Sequence, residues 1–95
     1  MAEKRNAKAV PVESIVGEGI APGSIKFYSR DDGVVGLHFV CPCGCGRVGG
    51  VEFGPKGWAW NGNRERPSVT PSIYFNRGGQ GEWHGYLTDG EFREC

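Results

Sequence analysis

Cys41-Pro42-Cys43-Gly44-Cys45-Gly46 gathers three of the chain's four cysteines into five residues; the fourth, Cys95, is the last residue of the sequence. Cysteines two apart bridge poorly, because a disulfide needs a Cα separation and a dihedral angle that so short a loop cannot supply. A disulfide framework is therefore a poor account of this turn. Three thiols facing one small turn point instead to a shared metal. Zn²⁺ takes thiolates in a tetrahedral shell, and a closed shell of four protein ligands is the structural type. Cys41, Cys43 and Cys45 would supply three ligands, and Cys95 or a histidine the fourth. His84 is one such histidine. His38, three residues before Cys41, is a weaker one, because the alternation around it places it on the outer face of a strand. Gly44 and Gly46 can adopt positive φ and let the turn wrap an ion.

Working outward, 95 residues allow one domain with a thin core. A structural metal would add its binding free energy to folding. Seventeen glycines without a collagen period, and six prolines, call for many turns. Formal net charge is zero, so nothing in the balance asks for nucleic acid or an anionic membrane. No apolar run is long enough to span a bilayer, and Met1 to Asn6 lead into none. These features predict a cytoplasmic chain without a signal peptide, where thiols stay reduced and metal binding is favoured over disulfides.

Residues 1–11 carry Lys4, Arg5 and Lys8 and little to bury, and read as a flexible tail before a single domain over 12–95. From Ser24 onward the pattern is strand and tight turn. Ile25 and Phe27 alternate with polar neighbours, Asp31-Asp32-Gly33 signals a hairpin, and Val35, Leu37 and Phe39 share a face running into the cysteine turn. Val51 and Phe53, then Trp58 and Trp60, mark further strands on either side of Gly54-Pro55-Lys56-Gly57. Ser72 to Phe75 and Glu82 to Leu87 flank the glycine-rich stretch Arg77 to Gly81. Thr88-Asp89-Gly90 turns into a last strand around Phe92. No useful helical period exists. The expected architecture is mostly β: a small antiparallel sheet or partly open barrel of short strands and hairpins, stapled by a Cys-rich zinc turn.

After the cysteines come Trp58-Ala59-Trp60-Asn61-Gly62, then Pro67-Ser68-Val69-Thr70-Pro71-Ser72-Ile73, then Trp83-His84-Gly85-Tyr86-Leu87-Thr88-Asp89-Gly90. In this order the chain resembles, over roughly residues 37–95, a family of small bacterial and phage proteins carried as a domain of unknown function. Bacterial members of that family accompany ubiquitin-like conjugation genes and look like serine peptidases acting on the ubiquitin-like protein. The resemblance implies Ser72 as nucleophile and His84 as base, with Asp89 the family-pattern candidate for a third group; Glu82 is the nearer alternative on the same strand face. Many relatives have Cys immediately before the histidine, where this chain has Trp83; if that Cys is a ligand, Cys95 must replace it.

The residues allow a geometric test. If Phe75 opposes Gly81 in a hairpin, Ser72 lies opposite His84 on one face, with Cβ atoms about 5 Å apart; a slip of one residue would separate them. Gly78, Gly79, Gly81 and Gly85 could offer backbone N–H groups to an oxyanion. Trp58, Trp60 and Asn61 could wall a groove for an extended peptide tail, although paired tryptophans are more often core and Asn61-Gly62 is also a plain turn. Ser68, Thr70 and Ser72 would equally suit the wet face of a strand, and Asp89 a turn.

Two functions are carried forward: a zinc-stapled serine peptidase acting on the tail of a ubiquitin-like protein, and a non-enzymatic zinc-binding β module, phage-encoded, that docks on a protein partner. Nucleic-acid binding through Arg47, Arg64, Arg66 and Arg77 with Trp58 and Tyr74 is disfavoured by the neutral charge and by the lack of a second cysteine pair at ribbon spacing.

Overall fold

The computed structural model describes residues 5–15, 17, 19–31, 33–75, 79 and 82–95. Nine strands run β1 (Ala7–Lys8), β2 (Val10–Pro11), β3 (Ser24–Arg30), β4 (Gly33–Val40), β5 (Val48–Glu52), β6 (Ala59–Trp60), β7 (Val69–Phe75), β8 (Trp83–Thr88) and β9 (Glu91–Glu94), with no helix among the described residues. They form two sheets, ordered β1-β9-β8-β7-β6 and β2-β3-β4-β5. Every pairing between named strands is antiparallel except β2 with β3. The mostly-β expectation holds. The strands form two sheets that share one core, with no closed barrel.

The alternation in the sequence explains the core. Ile25, Leu37, Phe39 and Val51 face inward from one sheet and Val69, Ile73, Trp83, Leu87 and Phe92 from the other, none more than 3% exposed. Each such side chain contributes roughly 1.5–3 kcal/mol by leaving water. Phe39 joins the two sheets, its ring 5.3 Å from Phe75 and 5.5 Å from Phe92. Gly49 makes room for this crossing: a Cβ there would lie 2.6 Å from the Phe75 ring and 2.7 Å from Phe39.

Residues 5–11 differ from the expected flexible tail. β1 pairs with β9 through Ala7–Phe92, and β2 pairs with β3 through Val10–Ser24. Ala9, between them, is buried and donates its N–H to Gly90 O at 2.8 Å. The segment thus steps from one sheet to the other. Two-residue strands are too short to leave an alternation, so composition alone read them as solvated. The Trp83 indole donates to Arg5 O at 2.8 Å, and the Arg5 guanidinium clasps Glu94 while also donating to Glu82 O. The hydrogen bond to Glu94 holds the Arg5 pKa above its ordinary value.

Candidate active site

The site forms where β7 and β8 lose their simple register. Val69 pairs with Leu87, but Ile73 pairs with Gly85, Tyr74 with His84 and Phe75 with Trp83. Three residues of β7, Thr70, Pro71 and Ser72, therefore face one residue of β8, Tyr86. This is a bulge with two extra residues on β7. It contains a cis Thr70–Pro71 peptide bond. Phe75 thus opposes Trp83, not Gly81, and His84 lies directly across from Tyr74, not Ser72.

The displacement is an even number of residues, so it keeps every side chain on its face. Ser72, Tyr74 and His84 share the outer face, and Ser72 Oγ lies 2.9 Å from His84 Nε2. Both residues are half-buried. The contact comes from the diagonal neighbour in the ladder rather than from the opposed residue. The Tyr74 ring stacks on the imidazole, centroids 4.6 Å apart and planes 12° apart, and its hydroxyl donates to Glu82 Oε2 at 3.0 Å. Sequence reasoning named Tyr74 only as a base-stacking group; its position two residues after Ser72 was the available signal.

The structure does not bring Asp89 to His84. Asp89 lies beyond the end of β8, more than about 13 Å along an extended strand from His84. Its carboxylate takes a hydrogen bond from Arg66 Nη2 at 2.9 Å, and its backbone N–H donates to Ser68 Oγ at 2.7 Å. With Asp89 at φ +50° and Gly90 at φ +78°, the pair forms the two-residue turn between β8 and β9. Asn61 performs similar work: its Oδ1 accepts from Asn63 and Ser68 backbone N–H groups, and its Nδ2 donates to Arg66 O. Gly90 N–H donates to Pro67 O at 2.8 Å. Three separate sequence motifs thus meet in one loop cluster.

Trp60 stacks on Phe53, centroids 5.1 Å apart, and tilts against Phe27. Trp58 donates its indole N–H to Ser72 O at 3.3 Å, a contact that sequence reasoning did not anticipate. It also lines a cavity of about 510 Å³ with Phe53, Pro55 and Lys56. Of the glycines considered for an oxyanion hole, Gly78 and Gly81 lie outside the described residues. Gly85 sits mid-strand, opposite Ile73 and Glu94, where a Cβ would lie 2.2 Å from Arg93 O. Its smallness serves strand packing.

The cysteine turn links β4 to β5. Cys41 N–H donates to Arg47 O at 2.8 Å, and Gly44 and Gly46 take φ of +88° and +83°. The Cys41, Cys43 and Cys45 sulfurs lie within 4.8 Å of one another and could hold a metal ion. A tetrahedral zinc–thiolate shell with bonds of about 2.3 Å needs sulfurs roughly 3.8 Å apart, which this spread accommodates. Without an ion, burial followed by the hydrogen bond to Cys43 pushes the Cys41 thiol up to about 12. Burial also works upward on Cys45, but the Arg47 backbone, the neighbouring thiols and the Arg47 charge outweigh it and hold that thiol lower. Cys95 is exposed and is not in the group; its backbone N–H donates to His84 O at 2.9 Å. Neither histidine joins the group: His84 bonds Ser72, and His38 stacks on Tyr28 on the outer face of its sheet.

A family model described as bacterial ubiquitination-like system serine protease, BubE, matches residues 12–95. The chain belongs to the BubE family. No curated protein and no solved structure matches it. The BubE description names a serine protease of a ubiquitination-like system, and the Ser72–His84 contact lies inside the matched span. No helix among the described residues is long and apolar enough to cross a membrane.

Proposed function

We propose that this chain is a serine peptidase that cleaves at the C-terminal tail of a ubiquitin-like protein, to process a precursor or undo a conjugate, with Ser72 as nucleophile and His84 as general base. The observation that carries the reading is Ser72 Oγ at 2.9 Å from His84 Nε2. In this mechanism Nε2 takes the hydroxyl proton as Oγ attacks the scissile carbonyl. The imidazolium then returns that proton to the leaving amine, and water, deprotonated by the same nitrogen, releases the acyl group from Ser72. Trp58 holds the bulge through the Ser72 carbonyl, and the cavity it lines with Phe53, Pro55 and Lys56 would take an apolar part of the substrate. Trp60, stacked on Phe53, and Asn61 would extend the substrate-binding surface.

Cys41, Cys43 and Cys45 would hold a structural zinc; Cys95, outside their group, would have to move to supply a fourth ligand. Bound zinc would clip the β4–β5 turn and take no part in the bond cleavage. The chain would work in the cytoplasm, on a protein partner.

A second reading keeps the fold and drops the chemistry. Tyr74 and Tyr86 are each 46% exposed beside His84, and such a face also suits a zinc-bound module that only docks on a protein. Cleavage of tail-extended ubiquitin-like proteins by native protein and by Ser72→Ala, with zinc measured on both, decides between them. Loss of cleavage in the variant with metal retained supports the peptidase. No cleavage of any such substrate by folded, metal-loaded native protein sinks it and favours docking.

A further inference from the structure

We propose that Tyr74 is the positioning residue for His84, filling the place that a carboxylate holds in a catalytic triad. The inference rests on the reading of Ser72 and His84 as nucleophile and base. A base must present one ring nitrogen to the serine in a fixed direction, and in triads a carboxylate on the other ring nitrogen provides that constraint. Here the acidic side chains around β8 and β9 are engaged elsewhere. Glu82 accepts from the Tyr74 hydroxyl at 3.0 Å, Asp89 from Arg66 at 2.9 Å, Glu91 from Arg93 at 2.7 Å, and Glu94 from Arg5. Among the described residues, the side-chain hydrogen bond of His84 is the one to Ser72.

The imidazole has a flat neighbour instead. Tyr74 is its direct cross-strand partner, and the two rings lie 4.6 Å apart and nearly parallel, at 12°. A stacked face fixes the plane of the ring, and with it the side-chain torsion that aims Nε2. The tyrosine is itself held at its far end, where its hydroxyl meets Glu82, two residues before His84 in the chain. Contacts therefore run from Glu82 through Tyr74 and His84 to Ser72. Tyr74 and Ser72 stand two apart on the same strand, so nucleophile and platform move together. The same aromatic face attracts the positive charge that the imidazole gains on taking the serine proton.

The test compares native protein, Tyr74→Phe, Tyr74→Ala and Ser72→Ala by kcat and KM on a tail-extended ubiquitin-like protein, and by labelling with a fluorophosphonate. Labelling forms a bond from Ser72 Oγ to phosphorus, expels fluoride, and sends the serine proton to His84. Ring ¹⁵N spectra of His84 add a readout that needs no substrate. Tyr74→Phe keeps the stack and is expected to stay within about threefold of native. Tyr74→Ala is expected to lower kcat and labelling about 100-fold with KM little changed, the cost of a base misplaced by about 1 Å, and to average the ring signals between tautomers. Should Tyr74→Ala not fold, Tyr74→Leu fills the space without an aromatic face and carries the same expectation. Native labelling rates in the folded variant, with Ser72→Ala unlabelled, overturn the role of Tyr74 and leave the Ser72–His84 pair standing. A rise in KM alone makes Tyr74 a substrate contact and overturns it too. Equal labelling of native protein and Ser72→Ala removes the pair itself, and the proposal with it.

Discussion

Replacing Asp89 with Asn separates a two-residue catalytic unit from a triad. The substitution removes one charge and leaves the turn. Asn tolerates the φ of +50° found at this position, and the hydrogen bond to Ser68 Oγ comes from the backbone, which is unchanged. What is lost is the ion pair with Arg66, 2.9 Å long between side chains 55% and 67% exposed. Exposed pairs of this kind contribute about 0.2–1 kcal/mol. For a domain of this size that lowers Tm by at most about 8 °C. If Asp89 oriented His84, the same change would cost about 10,000-fold in kcat, the scale seen when a triad carboxylate becomes an amide. The structure predicts a change in kcat/KM of under about threefold, equivalent to about 0.65 kcal/mol of barrier. Hydrolysis of a ubiquitin-like fusion, run beside a thermal melt, measures both quantities. A fall of about 100-fold or more with Tm inside the stated range would refute the two-residue reading.

Gly85→Ala places a Cβ 2.2 Å from Arg93 O and 2.6 Å from the Trp83 ring, so β9 must shift outward; overpacking of this kind costs about 1–3 kcal/mol, and a melt unchanged within error would contradict the packing of β8 on β9. Deleting residues 1–11 removes both short strands, the burial of Ala9 and the acceptor of the Trp83 indole, and is expected to cost roughly 2 kcal/mol or more; proteolysis and melting identical to the intact chain would show that these strands contribute nothing. Cys41→Ala is expected to abolish metal retention measured by elemental analysis, and a chelator is expected to lower the Tm of native protein by several degrees; stoichiometric metal in the variant would exclude Cys41 as a ligand.

Much of the scaffold was readable from residue order. Leu37 and Phe39, Ile73, Leu87 and Phe92 fell on inward faces because a half-buried strand alternates strictly. The cysteine turn was readable because three thiols at that spacing have few other physical uses. The contact between Ser72 and His84 was anticipated through a register that holds at only one end of the hairpin. The register that sets Phe75 opposite Gly81 also sets Val69 opposite Leu87, and there it is found. Thr70 to Ser72 then absorb two residues, and the contact survives because the shift is even. Bulges depend on how two strands bend together, and a periodic pattern carries no mark of that. Asp89 was drawn toward the site by its place in a shared motif, whereas its φ and its partners make it a turn residue. The short strands around Ala9 were missed because two residues make no period.

The pairing of β1 with β9 sets Ala7 beside Phe92, and Trp83 bonds back to Arg5. On a ribosome, β9 emerges from the exit tunnel only after every other described strand has been made. Until then β1 has no strand to pair with, and the sheet that carries Ser72 lacks an edge. The cost of closing so long a loop falls on the approach to the native state, which slows folding. The cysteine turn, by contrast, lies within a local hairpin and can capture an ion while the chain is still being made.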